Sequence, residues 1–138
     1  MDIKVVLDEG AYMPEKAHNV DAGFDIRTPI DVVVESKWHS FIDTGIHIEI
    51  PEGYVGMIKS KSGLNCKNNL VTEGVIDTGY TGTIGVKIYN HGKEDYKFKA
   101  GDKITQLVIL PIPEVNLIQV DKLEDTERGD NGFGSTGR

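Results

Sequence analysis

Between Thr83 and Asn90 the chain alternates: Ile84, Val86 and Ile88 fall on one side, Lys87 and Tyr89 on the other. Residues two apart share a face on a strand but not on a helix, so this run is predicted as a strand with one buried face. The same period governs Phe41–Ile50, where Ile42, Ile46, Ile48 and Ile50 recur around a break at Thr44-Gly45. Further strands are predicted at Ile3–Leu7, Ile30–Val34, Tyr54–Ser60, Leu70–Ile76, Lys103–Pro111 and Val115–Val120, and Tyr96 and Phe98 are expected to share a face. Turn signals separate them: Pro51-Glu-Gly53, His91-Gly-Lys-Glu94 (read as a hairpin turn) and Ala100-Gly-Asp102. A short helix is plausible only at Ser62–Lys67. Many short strands with almost no 3.6-residue periodicity predict an all-β barrel or sandwich.

The length, 138 residues, fits one compact domain without a second. Sixteen glycines exceed the ~7% average usage and are spread through the chain, as a fold of many turns requires. From Asp121 the character changes: Asp121–Asp130 is charged, and the rest is mostly Gly, Ser, Thr and Asn. We therefore expect a β core over residues 1–120 and a mobile arm over 121–138, ordered by a ligand or partner. A net charge of −7 argues against duplex nucleic acid, which needs clustered Lys and Arg. No apolar run approaches the ~18 residues of a membrane span, and the N-terminus lacks an apolar leader core. The single cysteine, Cys66, has no internal disulfide partner, which favours a reducing, cytoplasmic setting.

Five stretches carry candidate chemistry. Gly74-Val-Ile-Asp-Thr-Gly-Tyr80 sets Asp77 against Val75 and Ile76 at a strand end, either as a base made more basic by desolvation or as a turn aspartate capping its own backbone. The tail from Arg128 to Arg138 combines glycines able to form an anion-binding nest, the hydroxyls of Ser135 and Thr136, an aromatic, Phe133, and two arginines. It has no Gly-Lys-Ser/Thr and no following helix, so it is not a Walker loop. Ser60-Lys-Ser-Gly-Leu64 sits where a strand gives way to the possible helix, which suits a phosphate or an N-cap by Ser62. Asp25 lies between Phe24 and Ile26, an acid among apolar neighbours that needs a structural hydrogen bond or a hydrated metal. Gln106 interrupts the strand from Lys103, facing either solvent or a ligand. No metal-thiolate spacing occurs, the four histidines lie in dissimilar contexts, and Cys66 reads as a buried or half-buried bystander. With no Cys/His or Ser/His nucleophile pattern, water is the expected nucleophile.

In order, these stretches resemble the five motifs of the trimeric deoxyuridine triphosphate nucleotidohydrolase (dUTPase) family. Ala22-Gly-Phe-Asp25 resembles the first, Ser60–Leu64 the second and Gly74–Tyr80 with Thr81-Gly82 the third. Gly101-Asp-Lys-Ile-Thr-Gln-Leu107 resembles the fourth and Arg128–Gly137 the fifth. The resemblance implies a distorted antiparallel, jelly-roll-like barrel of the β-clip type. It implies Mg-dependent hydrolysis of dUTP to dUMP and pyrophosphate, which limits uracil in DNA and supplies dUMP for thymidylate synthesis. Asp77 would activate the attacking water, and Tyr80 would exclude a 2′-hydroxyl. Val75 and Ile76 would present backbone to uracil. Lys61, Ser62, Gly63 and Gln106 would hold phosphates, and Asp25 would bind Mg²⁺ through water. Arg128, Gly134, Ser135 and Thr136 would meet the far phosphates and Phe133 would cover the uracil. The active site would be shared within a homotrimer, the arm coming from a neighbour.

Two positions depart from the family's usual pattern. Ser60-Lys61 stands where Pro-Arg is usual, keeping the charge but not the planar fork. Thr78-Gly79 replaces an acidic or polar pair, a variation associated with phage and Gram-positive bacterial members. The related dCTP deaminases are a rival reading, for which Glu73 would be the ring-activating acid; a non-catalytic binding module is another.

Overall fold

β-branched side chains on alternate positions pack well on a pleated surface, and the fold is built from them. The computed structural model describes residues 1–137. Its strands are β1 (Val5–Leu7), β2 (Gly23–Arg27), β3 (Val32–Val34), β4 (His39–Ile48), β5 (Tyr54–Lys59), β6 (Leu70–Ile76), β7 (Thr83–Asn90), β8 (Tyr96–Phe98) and β9 (Lys103–Pro111). One helix, α1 (Ser62–Asn68), follows β5. Ten of the fifteen buried hydrophobic residues are isoleucine, and they include every even-numbered apolar residue of β4 and Ile84 and Ile88 of β7.

Seven strands form one antiparallel sheet in the order β1-β4-β7-β6-β5-β9-β2, and β3 pairs with β8 in a small second sheet. Ile26 on one edge strand, Ile42 and Ile46 near the other, and Val34 and Phe98 on the small sheet all belong to one core cluster. The sheet therefore curls into a half-barrel closed by β3 and β8, the jelly-roll-like, nearly all-β fold expected.

The break at Thr44-Gly45 is a bulge: Asp43 pairs with Gly85 but His47 pairs with Thr83, so four residues of advance on β4 match two on β7. Gly45 takes the left-handed conformation there, φ +66°. The Thr44 hydroxyl turns inward and donates to the Ile84 carbonyl at 2.7 Å, repairing the interrupted ladder.

Three expectations are corrected. Residues 91–94 do not join a hairpin, because β7 lies between β4 and β6 while β8 pairs with β3. The buried Asn90 amide donates to the Val34 and Glu94 carbonyls and its oxygen accepts from the Gly92 N–H, steering the chain out of the large sheet. The strand predicted from Ile30 begins at Val32, since the Thr28 hydroxyl turns back onto Ile30. No strand forms at Val115–Val120: residues 112–137 contain neither strand nor helix. Val115, Leu117, Ile118 and Val120 are 67%, 91%, 75% and 56% exposed, apolar residues that take no part in the core cluster. Among the described residues no helix is long and apolar enough to cross a membrane.

Candidate active site

The adjoining strands β2, β9, β5 and β6 carry Asp25, Gln106, Lys59 and Glu73 in one cross-strand row. Asp25 is 7% exposed. Its two carboxylate oxygens meet different ammonium groups: Lys61 Nζ on Oδ1 and Lys103 Nζ on Oδ2, the latter at 2.7 Å. Burial alone pushes the Asp25 carboxyl up, but the hydrogen bonds and charges of Lys103 and Lys61 outweigh it and hold the group below its ordinary range. The acid among apolar neighbours is thus paired on both oxygens, which removes the cost of an isolated buried charge.

Ser60 organises the next position. Its hydroxyl accepts from the Thr72 N–H at 2.9 Å and donates to the Thr72 carbonyl at 3.1 Å, extending the β5–β6 ladder with a side chain. The Ser60 carbonyl accepts from Gln106 Nε2 at 2.9 Å. Gln106 is therefore turned toward the start of α1 and not to bulk solvent. α1 begins at Ser62, so its cap position is Lys61 and no side-chain cap bond forms; the N-cap reading of Ser62 is corrected. Ser62 and Gly63 are exposed, in the first turn, where backbone N–H groups lack helical partners. Cys66 lies on the same helix and is exposed, not buried.

The second group lies at the other end of β6. Where β6 ends, Asp77–Tyr80 forms a turn closed by the Tyr80 N–H on the Asp77 carbonyl at 3.2 Å. Gly79 sits at φ +86°, which suits glycine and accounts for its presence at this departure from the family pattern. The Thr78 hydroxyl bonds the Pro51 and Tyr54 carbonyls, and the Tyr80 hydroxyl donates to the Thr83 carbonyl at 2.9 Å. Beside the turn lies a cleft of about 430 Å³ lined by Gly74, Val75, Asp77, Tyr80, Phe41 and Gly85 among others, a volume within the range of small-molecule sites. Val75 faces outward, 60% exposed, while Ile76 points into the core at 6%. Asp77 is exposed, at the edge of a cleft whose wall includes the apolar Val75, Ile76, Phe41 and Ile84.

The chain brings Asp25, Lys61 and Gln106 together beside Ser62, and separately Val75, Ile76, Asp77 and Tyr80. Between the groups lie three strand spacings sideways and four residues along, roughly 19 Å by strand geometry. The arm joins neither group. Arg128 Nε donates to the Asn131 carbonyl at 2.8 Å, within the arm. Phe133 is fully exposed and, like Gly134, sits at positive φ. Ser135 and Thr136 are exposed, and Arg138 lies outside the described residues. Sequence reasoning missed Lys103, which begins a strand as one more charged residue, and Phe41, an odd-numbered residue in a strand read for its even ones. Glu73, the acid of the deaminase reading, is exposed and paired with Lys59 at 2.6 Å.

The sequence profile of the dUTPase family matches residues 9–137. The deoxyuridine 5′-triphosphate nucleotidohydrolase of Clostridium tetani is 43% identical over 136 residues, covering 96% of this chain and 94% of that protein. The enzyme of the same name from Alkaliphilus metalliredigens is 45% identical over 130 residues, covering 92% and 90%. Among solved structures, a mutant dUTPase of Staphylococcus bacteriophage 80alpha with dUpNHpp superposes with a TM-score of 0.92 at 35% identity, covering 99% of each chain. A mutant dUTPase from the S. aureus phage phi11, described as revealing the coordination of a structural Mg(II) ion, gives 0.83 at 35% identity over 91% of this chain and 100% of that one.

Proposed function

The chain belongs to the dUTPase family, and we propose that it hydrolyses dUTP to dUMP and pyrophosphate. The observation that carries this reading is Asp77 at the lip of a nucleoside-sized cleft, next to exposed strand backbone and an aromatic ring. In the proposed reaction water attacks the α-phosphorus, Asp77 takes its proton, and the bond to the bridging oxygen breaks so that pyrophosphate leaves. Gly74–Ile76 meet the uracil edge through backbone groups, and the ring of Tyr80 lies against the deoxyribose. Selection against a 2′-hydroxyl follows from that contact, since the ring fills the space the hydroxyl would need.

Lys61, Ser62, Gly63 and Gln106 bind the triphosphate in this reading. Lys61 brings positive charge, the first turn of α1 brings free N–H groups, and Gln106 brings an amide already fixed by Ser60. The metal fits only in one form. Both Asp25 oxygens carry an ammonium, and no group of three or more His, Cys, Asp or Glu among the described residues could hold an ion. The remaining lone pairs of Asp25 can still accept from water, and Mg²⁺ commonly keeps its waters while phosphates supply most protein-independent ligands. Asp25 is therefore proposed as a partner through water, and the ion when bound would offset triphosphate charge.

About 19 Å separates Asp77 from Asp25 within one chain, a gap too wide for both groups to reach the same α-phosphate unaided. A second copy supplying the missing half resolves it, and the apolar run Val115–Val120, unused by its own chain, supports association. We infer a homotrimer with shared sites, in which the arm of a neighbour brings Phe133 over the base and Arg128, Gly134, Ser135 and Thr136 to the far phosphates.

The test is a pyrophosphate-release screen over dUTP and the other deoxynucleoside triphosphates with Mg²⁺, beside a solution mass measurement. The expected result is turnover of dUTP alone and a mass of three 15.2 kDa chains. Ammonia release from dCTP at a comparable rate, or pyrophosphate release without base preference, would reject it.

A further inference from the structure

Asp77 and Tyr80 stand on a turn whose far side is held by a residue that neither the cleft nor the motifs include. His47 lies in β4 just past the bulge, paired with Val6 of β1 on one side and Thr83 of β7 on the other. Its two ring nitrogens face two acceptors. Nδ1 is 2.7 Å from the carbonyl oxygen of Thr81, the residue after Tyr80. Nε2 is 3.1 Å from Oδ1 of Asp8, just beyond β1.

A carbonyl oxygen can only accept, so Nδ1 carries a proton and donates to Thr81. A carboxylate also only accepts, so the contact to Asp8 is attractive only when Nε2 is protonated too. Asp8 is itself fixed: its N–H donates to the Gly45 carbonyl at 2.9 Å, inside the bulge. The other charged groups around the ring are Asp43 across the bulge and the Lys4–Glu49 pair, 3.3 Å apart, beside it. Acids outnumber bases in this set. The bond to the Thr81 carbonyl chiefly, against some desolvation, and then Asp8 and Asp43 hold His47 protonated to a higher pH than an ordinary histidine.

Resting on the dUTP reading above, we infer that His47 is a positioning residue for sugar recognition: doubly protonated, it ties Thr81 to Asp8 and so fixes the Tyr80 side of the cleft. The backbone between Tyr80 and Thr83 has few other anchors. Tyr80 bonds within the turn itself, to Thr83, and its ring lies so close to Gly82 that a Cβ there would sit 2.6 Å from the Tyr80 hydroxyl. His47 supplies a tie from outside the turn. Loss of the Nε2 proton releases Asp8 first and loosens the ring, so Tyr80 is held best below the raised titration of His47 and less well as pH rises past it.

The experiment uses the full chain. Its readouts are hydrogen exchange of the Tyr80 amide, which bonds the Asp77 carbonyl, the NMR titration of the His47 ring, and the ratio of dUMP to UMP affinity. In wild type, that amide should lose protection and the ratio should fall as His47 deprotonates. His47→Leu removes both donors and should lower the ratio about three- to tenfold below the wild-type titration of His47, the scale of one hydrogen bond. His47→Asn retains a donor near the Nδ1 position and should recover part of the ratio without its pH dependence. Asp8→Asn should move the ring titration down toward the ordinary value of 6.5. Unchanged amide exchange and an unchanged nucleotide ratio in both His47 variants, or an unmoved titration in Asp8→Asn, would overturn the inference. A wild-type protein that binds no dUMP would reject the dUTP reading instead, with amide exchange still deciding the role of His47. If His47→Leu fails to fold, His47→Asn and Asp8→Asn decide the matter.

Discussion

The side chain of Gln106 occupies the space where Gly23 lacks a Cβ: an atom there would lie 2.2 Å from Gln106 Oε1 and 3.0 Å from its Cβ. The two residues sit on the paired strands β2 and β9, and the contact turns Gln106 toward the Ser60 carbonyl. Gly23→Ala therefore displaces the amide from Ser60. The far end of a glutamine is flexible, so the cost in stability should be about 1 kcal/mol, one hydrogen bond. The loss should appear mainly in function, as a roughly tenfold fall in kcat/KM carried by KM, with the melting temperature lowered by only a few degrees. An unchanged KM for dUTP would show that Gln106 does not contact the phosphates.

Asp77 is exposed and its side chain has no role in closing the turn, which is held by Thr78 and by backbone. Asp77→Asn should thus leave the melting temperature unchanged and dUTP binding largely intact. Turnover should fall by about two to four orders of magnitude, the range for loss of a general base. Calorimetric titration with a non-hydrolysable dUTP analogue beside steady-state rates checks both halves, and turnover within tenfold of wild type would remove Asp77 as the base.

The Lys61–Asp25–Lys103 group gives an acid-side signature. Because the Asp25 carboxyl is held below its ordinary value of 3.8, its contribution is complete above that value and is lost as pH falls through the lowered one. Asp25→Asn leaves the two ammonium groups facing a neutral amide. We expect a loss of about 2 kcal/mol at pH 7, less than the ~3–5 kcal/mol of a fully buried pair because the Lys103 side chain keeps 37% exposure. The gap between variant and wild type, read from urea denaturation, should stay constant from pH 7 to pH 5 and close below the ordinary value. A gap that instead widened on acidification would contradict the double pairing.

The sequence disclosed what depends on local pattern. The isoleucines of β4 and the alternation of β7 follow from a period of two, the bounds of β9 from a mostly apolar run, and α1 from the one interval that fits neither. Elements set by non-local pairing were not visible. Residues 91–94 read as a hairpin because turn chemistry is local, whereas the partner of β8 is β3, about sixty residues earlier. Val115–Val120 has strand composition but no strand: composition is local, whereas pairing with an edge strand such as β1 or β2 is not. The motif residues were legible, but their division into two groups was not, since spacing along the chain does not say which strands lie between. Lys103 and His47 were missed for a related reason: a lysine or histidine in a strand gains meaning only from the acceptor it faces.

Phe41 and Gly85 give the most direct test of the cleft. A Cβ on Gly85 would lie 2.3 Å from Phe41 Cζ, so the ring rests on a surface that only glycine leaves open. Here the displaced group is a rigid ring, and 67% of Phe41 is exposed, so the free direction is outward into the cleft it lines. Gly85→Ala should therefore raise KM for dUTP about tenfold or more while leaving the fold intact. Phe41→Ala should enlarge the cleft and weaken binding less. In the double variant the alanine at 85 has no ring to displace, so KM should return to that of Phe41→Ala alone, a coupling of more than about 1 kcal/mol. Additive effects in this cycle, measured as KM for dUTP across the four proteins, would mean that the ring does not move into the path of the nucleotide and that the cleft beside Asp77 is not where the base binds.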